Sequence, residues 1–385
     1  MGSTKATLAD IARTAGVSSV TVSKVLNNQP GASAQTRRRV REIAEQFGYV
    51  PNLAARGLAG RRTNLIGFLT HDLTVQYATE ITRGMADALA QAQLEMLIST
   101  TYHDERKERA RVQFLAQSLT DGILLLAPKM EPALIEWLHA EKFPAVVVDP
   151  QRFDLTLPTV SVENYAGMRT ATEHLLQLGH RRIGFIQGHP EFETSAERFR
   201  GYQDALLTAG VAVDAHLVRP GDYTQRRGFE AAEELLALPA PPTAILASAD
   251  IVAFGAFDAV RNRGLRIPDD ISVMGFDDVP QSSQVYPALT TIRQPLYEMG
   301  RAAVRLLLSI IRGEEPVSAR VVLPTELVVR ASTGPAPDTP SHTEHAVQRA
   351  GEVSAVASDH ANLGARAPPG ATADTAHALP NTTSL

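Results

Sequence analysis

The sequence predicts a small all-α unit at the N-terminus, followed by a larger α/β body of doubly wound parallel sheets. Three observations predict it. Apolar residues recur with the 3.6-residue period of a helix through the first fifty positions. Beyond residue 62, short β-branched apolar runs alternate with helix-period segments as far as residue 333. From Gly334 onward the chain turns to Ala, Pro, Thr, Ser and Gly with few large apolar side chains. Such a composition buries too little surface to offset its chain entropy. The expected organisation is an α domain at 1–50, a hinge or linker at 51–62, a body at 63–333 and a disordered tail at 334–385.

Composition narrows the function classes. A chain of 385 residues with 44% hydrophobic content can fill two or three cores. The absence of cysteine excludes disulfides, thiolate metal sites and cysteine nucleophiles together. No run approaches the roughly 20 apolar residues of a bilayer span, and "MGSTKATLADIART" alternates polar and apolar residues where a leader would be charged and then apolar. A cytoplasmic protein with no membrane partner is expected. The sequence holds no G-x-x-x-x-G-K-[ST], H-E-x-x-H or G-x-S-x-G. His180 in "GHRRIGF" follows a glycine at a helix-to-strand turn and reads as structural, while His342 and His345 lie in the tail without a rigid frame for a metal. No enzyme activity, cofactor or metal is expected.

Charge separates the head from the body. Residues 1–62 carry ten basic and three acidic side chains, a net +7, which leaves −12 for the rest of a chain whose total is −5. A positive head on a negative body is the electrostatic footprint of a polyanion-binding unit.

The pattern inside the head says which kind. "LADIARTA" (8–15) places Leu8, Ile11, Ala12 and Ala15 on one helical face, and Gly16 suits a left-handed helix stop. Ser18 suits the N-cap of a second helix starting near Ser19, with Val22, Val25 and Leu26 facing inward. After the "NNQPGAS" turn, a third helix from about Ala34 to Phe47 should bury Val40, Ile43, Ala44 and Phe47, with Gly48 at its end. Helix, glycine turn, helix and a bracing third helix make a helix-turn-helix DNA-binding domain, whose second helix enters the major groove. Its outward positions are Ser19, Val20, Thr21, Ser23 and Lys24, short enough to sit deep in the groove. Lys24 can donate to guanine acceptors and Val20 can touch a thymine methyl; Asn27 and Asn52 join them as candidate DNA contacts. In "YVPNLAARGLAGRR" (49–62), "LAARGLAG" reads as a helix too short to be stable unaided. Leu58, between small residues and flanked by Arg56 and Arg61, suits a wedge in a minor-groove step.

These residues resemble the LacI/GalR family of bacterial transcription repressors. The resemblance is carried by "TLADIARTAGVSSVTVSKVLN", "VREIAEQFGYVPNLAARGLAGRRTNLIGFL", "GHRRIGFIQG", "ERFRGYQDAL", "RIPDDISVMGFDD" and "PALTTIRQP", in the family's order over about residues 7 to 333. It implies a homodimer reading two half-sites of a pseudo-palindromic operator in double-stranded DNA. It also implies a 52–60 hinge that becomes helical only on DNA, with Leu58 intercalating. By position, Ser19, Val20 and Lys24 read bases. The family often has a larger polar pair at the first two positions and arginine at the third, so the operator sequence cannot be carried over. Gly57 replaces a more helix-favouring residue, at a cost of about 0.5–1 kcal/mol.

In the body, seven strand-like runs stand out: 63–70, 94–99, 122–127, 145–149, 182–188, 243–248 and 271–277. They are near-continuously apolar, as expected of strands buried on both faces. The resemblance implies a two-lobed effector domain like periplasmic binding proteins, with crossings between lobes near residues 160, 290 and 322. It points to Arg198, Asp277, Tyr223, Asp149, Asp72 and Tyr77 as effector-binding residues. Arginine's fork can donate to vicinal hydroxyls, carboxylates can accept, and an aromatic ring can cover a sugar's C–H face. Asp250 joins them less directly, because Ala249 stands before it where many relatives have asparagine, and "VENYAG" leaves Asn164 and Tyr165 as candidates. Of the adjacent pair Asp277 and Asp278, one reads as a ligand contact and the other as a structural acceptor. The implied function is a repressor of carbohydrate-utilisation genes released by a sugar. A regulator needing a purine or other co-repressor stands as the alternative, with a secreted sugar-binding protein and a two-lobed enzyme as rivals from other classes.

Leu58→Ala is expected to weaken specific operator binding while leaving salt-driven non-specific binding nearly intact. Titration of both kinds of duplex by fluorescence anisotropy checks this, and equal losses on both would refute the wedge.

Overall fold

The computed structural model describes residues 6–26, 29–49, 62–102, 104–118, 120–152, 154–314 and 318–337. The 51–61 linker, with Asn52 and Leu58, the candidate Asn27, and the tail beyond 337 lie outside the described residues.

The head contains three helices, α1 (Leu8–Ala15), α2 (Ser19–Leu26) and α3 (Ala34–Gln46). Thr7 caps α1 and exchanges hydrogen bonds with Asp10, and Gly16 ends it at φ 66°. The Ser18 hydroxyl accepts from Thr21 N at 3.1 Å, the cap expected of α2. Ile11, Ala12, Ala15, Val22, Val25, Val40, Ile43 and Ala44 form the core. One expected member is absent: Phe47 follows the last turn of α3 and is 41% exposed, because the chain has already turned out of the helix toward Gly48.

The body has two sheets. The first contains β1 (Leu65–Thr70), β2 (Glu95–Thr100), β3 (Gly122–Leu126), β4 (Ala145–Val148), β5 (Thr159–Val162) and the late strand β11 (Arg320–Leu323). Its order is β11-β5-β4-β3-β1-β2, with every neighbouring pair parallel. The second contains β6 (Ile183–Ile186), β7 (Val218–Arg219), β8 (Ala244–Ala247), β9 (Ser272–Asp277), β10 (Thr290–Arg293) and β12 (Glu326–Val328), in the order β12-β10-β9-β8-β6-β7. Here β12 runs antiparallel to β10, a departure from the purely parallel expectation. It is the short return after the last crossing, and an edge position tolerates it.

Helices cover both faces of each sheet. In the first lobe α4 (Gln76–Gln91) and α11 (Leu296–Arg312) pack on Ile66, Phe68, Leu124 and Leu126, whereas α5 (Glu105–Ser118) and α6 (Pro132–Ala140) pack on Leu69, Ile123 and Leu125. The alternation follows the two-residue period of a strand. In the second, α7 (Asn164–Gln177) and α8 (Glu193–Thr208) cover Phe185, Leu246 and Phe276, and α9 (Gln225–Leu236) and α10 (Asp250–Asn262) cover Ile186, Ile245 and Val273. The chain passes between lobes after β5, β10 and β11, as expected. Each crossing leaves a strand at its C-terminal end, so those ends of both sheets face the opposite lobe.

His180 is fully buried, with its ring nitrogens at hydrogen-bonding distance from Thr243 Oγ1 (2.9 Å), Ser272 Oγ (3.1 Å) and the Gly334 carbonyl (3.1 Å). Gly334 N donates to Ser272 Oγ and Ala336 N to the Leu178 carbonyl. The body's order therefore extends a few residues past the boundary expected at 334.

Helices α4 and α11 meet backbone to backbone. A Cβ at Gly300 would lie 2.2 Å from Ile81 O, and one at Gly84 would lie 2.0 Å from Tyr297 O. Gly300→Ala is expected to destabilise the protein by about 1–3 kcal/mol through overpacking, measured as a lowered urea midpoint with an unchanged slope.

Candidate functional site

The strand ends that face the opposite lobe carry the polar residues. Asp149 follows β4 at φ 54°, Asp277 ends β9 at φ 135°, and Tyr223 precedes α9 at φ 62°. Left-handed backbone at non-glycine residues is uncommon and collects where side chains must be aimed. Room for the Tyr223 ring depends on Gly188, where a Cβ would lie 2.0 Å from Tyr223 Cζ. Phe192 stacks on Tyr223 and His189 stacks on Phe192, forming an aromatic wall.

Arg198, on α8, is 3% exposed and stands between these groups. Its Nε donates to Asn164 Oδ1 at 2.8 Å and its Nη1 to the Ser248 carbonyl at 2.5 Å. Its Nη1 lies 3.9 Å from Asp277 Oδ1, and the guanidinium carbon lies 3.9 Å from the centre of the Phe276 ring. Burial alone would lower its pKa, but Tyr223, Asp277, Asp149 and Tyr77 hold it above the ordinary arginine value. The same arrangement reads from the acids. Burial raises Asp149, and the Arg198 charge and a 2.6 Å hydrogen bond from the Tyr77 hydroxyl oppose the rise. Burial, then the charge of Asp250, pushes Asp277 well up, against Arg198 and a 2.6 Å hydrogen bond from Gln294 Nε2. Tyr77 is raised by burial first and by Asp149 second.

The structure thus brings Tyr77, Asp149, Arg198, Tyr223 and Asp277 together. It does not bring all the candidates. Asp72 Oδ1 accepts from Thr74 N (2.7 Å) and Thr74 Oγ1 (2.8 Å), closing a turn after β1. Asp250 is fully buried with both oxygens committed: Oδ1 accepts from Thr291 Oγ1, and Oδ2 from Ser282 Oγ and Val279 N. Burial still raises its pKa. It braces the loop after β9. Asp278 accepts from Arg293 and Arg330, the structural half of the acidic pair. Tyr165 donates to Asp204, whereas Asn164 contacts Arg198 directly.

Sequence reasoning passed over Gln151, Phe192, Ser195, Ser248, Phe276 and Gln294. Gln294 and Phe276 had a usable signal, since both stand at the ends of parallel strands. Three buried atoms here find no partner among the described protein groups: Asp149 Oδ1, Ser248 Oγ and Gln294 Oε1. Buried polar atoms are ordinarily satisfied, so these are places for a ligand's hydrogen bonds. Among the described residues no group of three or more His, Asp or Glu could hold a metal ion, and no helix is long and apolar enough to cross a membrane.

In the head, Ser19, Val20 and Lys24 are exposed on α2, Val20 at 64%. Thr21 is half-buried with its hydroxyl 2.9 Å from that of Ser18, so the cap occupies it. Arg37 donates to the Ala32 and Gln29 carbonyls and holds the turn after α2.

Comparison with known proteins agrees with this geometry. Residues 7–52 match the family model of bacterial regulatory proteins of the lacI family, and residues 172–333 match a periplasmic binding protein-like domain. The HTH-type transcriptional repressor CytR of Escherichia coli strain K12 is 34% identical over 332 residues, 86% of this chain and 97% of the relative. The chain belongs to the LacI family. A complex of the transcriptional regulator CelR with cellobiose aligns over 85% of this chain and 99% of its own, with TM-score 0.66 and 33% identity. The lac repressor dimer bound to operator and the anti-inducer ONPF aligns over 86% of this chain and 100% of its own, with TM-score 0.77 and 30% identity. As a LacI-family member, this protein is a DNA-binding transcription regulator.

A buried carboxyl with a raised folded pKa binds its proton more tightly folded than unfolded. Its contribution to stability is therefore greatest at low pH and falls as pH rises from the unfolded value of about 4 toward the folded one. Asp277→Asn removes that dependence. The difference in unfolding free energy between variant and wild type is expected to move in the variant's favour as pH rises through this window, as measured by urea denaturation at several pH values.

Proposed function

We propose that the protein is a homodimeric repressor of carbohydrate-utilisation genes, released from a pseudo-palindromic operator by a neutral sugar bound between its lobes. It acts by binding and not by turnover, in the cytoplasm, where its operator lies. The observation that carries the reading is the guanidinium of Arg198, buried among the carboxyl groups of Asp149 and Asp277, with an aromatic wall beside them. A guanidinium donor, two carboxylate acceptors and a ring face match a polyol, whose hydroxyls both donate and accept. The relatives support the class: the CelR structure holds cellobiose, and that of a LacI-family regulator from Enterococcus faecium, 26% identical over 70% of this chain, holds ribose.

Release follows from linked equilibria. A sugar that binds one arrangement of the lobes better than the other shifts the population toward it, and the operator affinity changes by the coupling free energy.

The test is the affinity of the full-length protein for a duplex selected from random DNA, at fixed salt, with a panel of mono- and disaccharides and nucleosides. One sugar is expected to weaken binding by about 5- to 150-fold. Tighter binding in the presence of a nucleoside or purine would make the protein co-repressor-dependent instead. Arg198→Ala is expected to keep operator binding but to lose about tenfold to a hundredfold in affinity for that sugar by calorimetry. Unchanged sugar affinity would remove Arg198 from the site.

A further inference from the structure

The chain emerging from the DNA-binding head is fastened to the body at two places. Asp121, just before β3, accepts from Thr63 N (2.7 Å), Thr63 Oγ1 (3.0 Å) and Asn64 N (2.8 Å). Arg62 Nη2 donates to the Ile311 carbonyl at 2.9 Å. The first fastening is to the sheet of the N-terminal lobe. The second is to the last turn of α11, whose other end lies at the cleft.

Helix α11 follows the crossing after β10. Two residues before it, Gln294 donates through its side chain to Asp277 Oδ1 (2.6 Å) and through its backbone to the Asp277 carbonyl (3.1 Å). Leu296 N then donates to the Gln294 carbonyl at 2.8 Å. A 17-residue helix, about 25 Å long at 1.5 Å per residue, therefore has one end bonded to a cleft carboxylate and the other to the linker. Along its length α11 is joined to α4: Gly84 and Gly300 let the two backbones approach at the crossing, and Tyr297 donates to Asp87 Oδ2 at 2.9 Å with Arg83 over its ring. The two helices therefore shift as one body, and small displacements of packed helices are a common way for a fold to carry a change.

We infer that α11 is the rod that couples the cleft to the DNA-binding head, with Gln294 as its input, the Arg62–Ile311 hydrogen bond as its output and Asp121 as the fixed point against which it acts. The inference rests on the cleft being the effector site, but its test needs no effector. Spatial intermediacy does not establish coupling; a demonstrated interaction energy does.

The experiment is a double-mutant cycle on operator affinity with the full-length protein and the selected duplex. Gln294→Met keeps the side chain's volume and removes its amide, and Arg62→Met removes the donor to Ile311. Any direct attraction of Arg62 to DNA phosphates is missing from both proteins that carry Arg62→Met, so it cancels from the coupling. Gln294→Met is expected to change operator affinity by about fivefold or more in the wild-type background and by less than about twofold beside Arg62→Met. Arg62→Lys, which keeps a donor, is expected to restore the response. Equal effects of Gln294→Met in both backgrounds, or none in either, would overturn the rod. Amide exchange at Thr63 and Asn64 gives a second readout. Gln294→Met is expected to speed exchange there in the isolated protein, and unchanged exchange likewise counts against the coupling. If the sugar panel releases nothing while the cycle shows coupling, the effector reading fails and the rod stands.

Discussion

A buried guanidinium must be surrounded by acceptors and counter-charge, or it does not stay buried. Much of the body's architecture meets that requirement for Arg198. α8 places it at the lobe boundary, the start of α7 supplies Asn164, the end of β8 supplies a carbonyl, and the end of β9 supplies both Phe276 beneath it and Asp277 beside it. Asp149 comes from the other lobe and feels the same charge. One cation from the second lobe thus draws together acids from both lobes. The rule that open α/β sheets bind at the carboxyl ends of their strands has a concrete cause here: three crossings at strand C-termini turn those ends toward one another.

The parts of the fold legible in the sequence were those with a strong period or strong punctuation. In the head, the first helix stopped at Gly16 and the second began after the Ser18 cap, as their sequence signals indicated, because local hydrogen bonds and backbone preference decide helix ends. All seven apolar runs became strands. The strands without a signal were β5, β7, β10, β11 and β12, which are two to four residues long, and several of which are rich in threonine or partly exposed. Their pairing comes from position in the sheet and not from their own pattern. Site residues divided in the same way. Those at the ends of recognisable strands, such as Asp149 and Asp277, were placed by the fold. Asp250 looked alike in sequence, but both its oxygens are engaged by Thr291, Ser282 and the Val279 backbone. Whether a carboxylate is spent on its own protein is a tertiary fact that no local pattern encodes.

On the proposed reading, the polar bonds between the lobes are weak enough for a small ligand to shift their arrangement. Among the described residues they include Gln281 N donating to Gln76 Oε1, Glu193 N donating to the Gln151 carbonyl, the Thr194 hydroxyl donating to Gln151 Oε1 at 3.4 Å, and Lys129 at 3.9 Å from Glu191 where both are partly or well exposed. Exposed ion pairs contribute about 0–1 kcal/mol, and a neutral hydrogen bond contributes about 1 kcal/mol net. An interface held by such terms leaves alternative lobe arrangements close in free energy. A coupling of a few kcal/mol can then redistribute them. The lobes' own cores are fully packed and resist deformation, so the change has to run through rigid bodies and the segments that join them. Of those segments, the one after β10 runs straight into a long helix, and that helix ends on the residue at which the chain arrives from the DNA-binding head.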